Sequence, residues 1–128
     1  MSQDQCEGLG QDLGNGATQA QIIGGGLLHG TTVGQFAITA GAFPVFGIAG
    51  TVVETTQQAT LSVSLTGTFD VATGNFATGN FIPSGPVSAS TGKLSGATGT
   101  LTLDGVEDLI TGQFAEDITG VVCVDLAP

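Results

Sequence analysis

Few side chains in this sequence are equipped for chemistry. The single histidine, His29, follows Leu27 and Leu28 with no Cys, Asp or Glu beside it. A catalytic base or metal-binding imidazole needs partners that orient it and complete the site. A lone His in an apolar run is read as structural. Ser62, Ser64, Ser84, Ser88, Ser90 and Ser95 offer hydroxyls, but none lies in a nucleophile elbow. Two carboxyls flanking a bond would suit glycoside hydrolysis, and Glu54 with Asp70 or Asp108 are the acids at hand; nothing in the sequence fixes their separation. The cluster Asp104, Glu107, Asp108, Glu116 and Asp117 offers the oxygen ligands that Ca²⁺ takes. It lacks EF-hand spacing, so solvated strand ends are the simpler reading. Gly24-Gly25-Gly26 is not followed by the Lys-Ser/Thr of a phosphate loop. Lys93, the one basic residue, sits in a turn between Gly92 and Leu94. These residues nominate no catalytic centre, no metal site and no cofactor, and an enzyme is the less favoured reading.

Cys6 and Cys123 lie near opposite ends of the chain. Paired within one chain in an oxidising compartment, they would close almost its whole length, worth about 4–5 kcal/mol in the chain-entropy view. Paired between chains they would cross-link subunits. Reduced thiols in a reducing compartment are the third possibility. The expected location is extracellular or the cell surface, with the cytoplasm as the alternative. Met1-Ser2-Gln3-Asp4 has neither the basic nor the apolar region of a signal peptide.

The totals narrow the partners. Net charge is −10 with one Lys+Arg residue. Nucleic acid is excluded on those grounds, because nothing neutralises its phosphates. An anionic membrane surface fails for the same reason. Only 9% of residues are charged, against about 25% in ordinary globular domains. Yet 41% are apolar, enough to bury a core. Gly, Thr and Val dominate, which favours strands and turns. The apolar span from Phe36 to Val53 contains Gly41, Pro44, Gly47 and Gly50. It reads as two buried strands rather than a membrane span.

The elements that would position any site are organised by a stretch that occurs twice. Asp70-Val71-Ala72-Thr73-Gly74-Asn75-Phe76 returns as Asp108-Leu109-Ile110-Thr111-Gly112-Gln113-Phe114. Each copy reads as a hairpin corner. The Asp accepts hydrogen bonds from backbone N–H groups two or three residues on. Gly74 or Gly112 supplies the positive φ, and the Phe restarts a strand on the buried face. Asp104-Gly105 is read as a further two-residue hairpin turn. The segment from Thr60 to Leu65 alternates cleanly, with Leu61, Val63 and Leu65 inward and Thr60, Ser62 and Ser64 outward. Residues 1–24 show no apolar periodicity and are read as an extended, flexible arm. Residues 25–128 form one β domain, with turn signals every 8 to 12 residues or so. The expected fold is all-β: an antiparallel barrel of about eight strands, with a β-sandwich or jelly roll as the alternative.

Thr91-Gly92-Lys93-Leu94-Ser95-Gly96-Ala97-Thr98-Gly99-Thr100-Leu101-Thr102-Leu103 resembles the glycine-rich segment of the allene oxide cyclase and dirigent barrels. Gly92, Gly96, Ala97 and Gly99 fit that pattern, with Leu94 in the place of a Phe and Ser90 where a Gly is common. The resemblance implies an eight-stranded antiparallel barrel with an apolar cavity, often trimeric. Those families use polar and aromatic lumen residues; this chain has no Tyr, Trp or Arg, so no catalytic residue carries over.

Two functions are expected. The first is a non-enzymatic, self-assembling structural protein of the cell exterior, cross-linked through Cys6 and Cys123, with itself as partner. The second is a barrel that binds a small apolar ligand or, like the cyclases, steers a reaction inside a greasy lumen.

Overall fold

A computed structural model describes residues 2–23, 29–72 and 77–123. The strands are β1 (Ser2–Gly14), β2 (Ala17–Ile23), β3 (Gly30–Ala42), β4 (Val45–Thr55), β5 (Ala59–Asp70), β6 (Thr78–Phe81), β7 (Ser84–Gly92), β8 (Thr98–Asp108) and β9 (Gln113–Cys123). Each is antiparallel to its neighbours. The order β4-β3-β2-β1-β9-β8-β6-β5-β7, with β4–β5 and β8–β7 also paired, closes the sheet into a barrel. β6 and β7 fill one slot in succession between β5 and β8, so nine strands make eight staves. The chain breaks between them at Ile82-Pro83, where the buried Pro83 carbonyl accepts from Leu103 N–H at 2.9 Å.

The alternating rows of the sequence point as expected. Leu61 and Leu65 are each 1% exposed, while Ser64 faces solvent. The apolar span from Phe36 to Val53 is the hairpin of β3 and β4. No helix among the described residues is long and apolar enough to cross a membrane.

Two readings need correction. Within the expected arm of residues 1–24, residues 2–23 are not an arm: β1 pairs with β2 and β9, and β2 with β3, so both are staves and the barrel takes in residues on both sides of the expected boundary. The physical reason is that β1 fills its inward row with Gly8 and Gly10 rather than with large apolar residues. Phe114 lies over Gly10, since a Cβ added there would come within 2.3 Å of its ring. The core volume comes from the neighbouring strand, and the apolar period vanishes from β1's own sequence. Asp104-Gly105 likewise makes no turn; it lies within β8. Gly105 is there because Phe81 and the Ala115 carbonyl approach to about the same 2.5 Å from where a Cβ would stand.

Turn chemistry at Asp70 and Asp108 follows the expectation. Asp70 Oδ1 accepts from Ala72 N–H at 2.8 Å. Asp108 Oδ1 accepts from Ile110 N–H at 2.8 Å and from Thr111 N–H at 3.3 Å. Gly112 has φ +77°. Gly74, Phe76 and the Gly24-Gly25-Gly26 joint lie outside the described residues.

The two ends of the barrel differ. At one, the turn after β7 folds inward on three backbone bonds, among them Ala97 N–H to Leu94 O at 3.0 Å. It is tied to the β4–β5 turn by Lys93 N–H to Gln58 O at 3.1 Å. Leu94, 1% exposed, packs there with Ala59, Ala97 and Val122 and fills that end. The glycine-rich segment is thus a plug. The other end carries the β1–β2, β3–β4 and β8–β9 turns.

Candidate functional site: an acid-lined apolar lumen

Inside the staves is a cavity of about 520 Å³. That lies within the roughly 300–1,000 Å³ usual for small-molecule sites. It opens at the end opposite the plug, where its lining reaches the exposed Asn15 and Ile38. The wall is chiefly aliphatic and aromatic, with Phe36, Phe46, Phe69, Phe81 and Phe114 among the lining residues. Glycines make room for these rings. A Cβ at Gly79 would meet Phe69, and one at Gly50 would meet Phe36. Phe81 and Phe114 pack edge to face, centroids 5.7 Å apart, the geometry that ring quadrupoles favour.

Into this apolar wall project three buried glutamates, Glu54, Glu107 and Glu116. Strand alternation puts them there. Glu54 is in phase with Val52, Glu107 with Leu101, Leu103 and Gly105, and Glu116 with Phe114 and Ile118. Glu54 stands near the plugged end, one residue from the end of β4, and its register partners are Thr32 and Leu61. Its Oε2 is buried and has no hydrogen-bond partner. Glu116 lies over Gly8, where a Cβ would come within 2.8 Å of its Oε1. Glu107 is nearer the mouth, hydrogen-bonded to the side chain of Asp12.

Burial raises all three carboxyls, because a low-dielectric wall disfavours the charged form. Glu54 is pushed up to about 8 and Glu116 to about 7, each by desolvation. Glu107 also reaches about 8; desolvation leads, and the hydrogen bond and charge of Asp12 add to it. Near pH 7 Glu54 and Glu107 are therefore mostly neutral and Glu116 about half so, and the neutral carboxyls donate as well as accept hydrogen bonds.

The other candidate residues lie elsewhere. His29 and Lys93 are exposed, and neither lines the cavity. Ser62 and Ser64 sit on the outward row of β5, opposite in phase to Leu61, Val63 and Leu65. The acidic cluster is split between two faces: Asp104, Asp108 and Asp117 are exposed, whereas Glu107 and Glu116 face the lumen. Among the described residues no group of three or more His, Cys, Asp or Glu could hold a metal ion. Cys123 is an exposed free thiol, its backbone opposite Ser2 and Thr98. Cys6 lies opposite Ile118, and its side chain is outside the described residues.

Fold and site together define an eight-stave up-and-down barrel, plugged at one end, with an apolar lumen carrying buried acids. No family model matches this chain, and no curated protein or solved structure shows significant similarity to it.

Proposed function

We propose that this protein binds an apolar small molecule inside its barrel. One observation carries the reading: a ligand-sized lumen, closed at one end and open at the other, whose walls are apolar apart from a few converging polar groups. Empty, such a space forfeits dispersion contacts along its lining, and an apolar ligand restores them. The test is titration of the folded protein with a neutral naphthalene fluorophore, beside a variant whose lumen is filled. Val63 lines the cavity and is buried on β5. Val63→Trp is expected to abolish saturable binding while circular dichroism still reports a β fold. Equal binding by a folded variant, or no binding by the parent, removes the proposal.

Self-assembly is a second reading, favoured by the cysteine geometry. Cys123 is opposite Ser2 on β1, four residues from Cys6. Four strand residues span roughly 13 Å, whereas a disulfide joins Cα atoms no more than about 7 Å apart. A Cys6–Cys123 bond therefore cannot close one chain, and the exposed Cys123 is the thiol placed to link two copies. Non-reducing gel electrophoresis reads it: a dimer or ladder that collapses on reduction supports the link, and an unchanging monomer band removes it.

A further inference from the structure

The lumen holds acids and no bases. Among the described residues its lining includes Asp12, Glu54, Glu107 and Glu116, but no Lys, Arg or His. Glu54 is the one with an unmet requirement. It is 7% exposed, and its buried Oε2 receives no donor. Its ladder neighbours, Thr32 and Leu61, carry no charge. A buried polar atom left unpaired costs a fold the desolvation of that atom, and a ligand that brings a donor recovers it. An ammonium group brings three donors, a positive charge and no competing acceptor. A carboxylate or phosphate brings only acceptors and meets like charge on every lumen acid that ionises. The surrounding chain, at net charge −10, attracts cations and repels anions.

We propose that the ligand is an apolar primary amine, its nitrogen seated at Glu54 Oε2 and its hydrocarbon body along Leu65, Phe36, Phe81 and Phe114. This inference rests on the lumen-binding reading and names its ligand class. An alkylamine resembles the Lys side chain, with a pKa of about 10.4, and arrives from water as the ammonium. Glu54, pushed up to about 8, arrives protonated at pH 7. Binding joins the ammonium to the Glu54 carboxylate, and the carboxyl proton leaves to water, one per amine bound. Affinity therefore climbs with pH, approaching about tenfold per unit below pH 8, and levels off above it. The other titratable groups facing the lumen are Glu107, Glu116 and Asp12. Ionisation of Glu107 and Glu116, raised to about 8 and about 7, acts in the same direction; a Glu54 variant separates their share from that of Glu54.

The test displaces the bound neutral fluorophore with octylamine, 1-octanol and octanoate. At pH 8 octylamine is expected to displace at a concentration at least about tenfold lower than 1-octanol, with octanoate the weakest. Glu54→Gln, close in shape, removes the amine's advantage over 1-octanol. Calorimetry of the parent protein in buffers of different ionisation enthalpy reads proton release near one per amine at pH 7 and near zero at pH 9. Equal displacement by amine and alcohol, an undiminished preference in Glu54→Gln, or no proton release at pH 7 overturns the amine assignment and leaves the binding function standing. A fluorophore that never binds removes both.

Discussion

Glu54 occupies a place where the inward row of β4, after Phe46, Ile48, Gly50 and Val52, would ordinarily continue with another apolar residue. Its charge state is tied to folding. The folded chain holds protons on Glu54, Glu107 and Glu116 up to about pH 7 to 8, whereas the unfolded chain releases them near 4.5. Between those limits the folded state binds more protons, so stability falls as pH rises through the window and is lowest above it. Thermal scans are expected to give a Tm that drops from pH 5 to pH 9. Glu54→Gln removes one share of that drop, so it should match the parent near pH 4.5 and exceed it at pH 9. Asp108 acts more locally. Its Oδ1 holds two N–H groups of the β8–β9 turn, and Asp108→Ala should lower stability in a denaturant titration by about 1 kcal/mol. The Asp corners were readable from sequence because an Asx turn is a local arrangement of neighbouring residues. The lumen acids were not, because an exposed and a buried Glu look alike until strand phase is assigned. Extending the two-residue period from Leu101 and Leu103 through Gly105 reaches Glu107, and from Ile118 back it reaches Glu116. That signal was present but masked by the adjacent Asp104, Asp108 and Asp117, which made the acids look like one cluster.

Among the elements, β5 and β1 mark the extremes of legibility. β5 shows its inward face as Leu61, Val63 and Leu65. β1 hides its own behind Gly8 and Gly10, whose volume is supplied by Glu116 and Phe114 across the ladder. Single-strand periodicity cannot reveal a core that belongs to the neighbour. The same pairing predicts where substitution fails. A Cβ at Gly10 would lie 2.3 Å from the Phe114 ring and 2.5 Å from the Gln19 carbonyl. The ring can turn away, but the backbone oxygen is held in the sheet. Gly10→Val is expected to cost about 1–3 kcal/mol by overpacking, visible as a lower denaturation midpoint.

At the scale of the molecule, closure depends on β1 meeting β9, so the first two strands are structural members rather than an appendage. Removing residues 1–23 should leave β3 and β9 as open sheet edges, which invite association with other chains. Loss of cooperative thermal unfolding, with growth in size by light scattering, is the expected outcome; a truncated chain that melted like the parent would contradict it. The barrel itself was foreseeable from turn spacing and glycine content. An apolar lumen was expected with it; the carboxyls inside that lumen were not, because they are contributed by different staves.

The slot shared by β6 and β7 gives the wall a weak seam. β6 is a four-residue strand, and β7 meets β8 through three residue pairs, whereas β4 and β5 are matched along eleven. When the wall breathes, it unzips first beside Ile82-Pro83, so amide hydrogens there exchange ahead of those on β4.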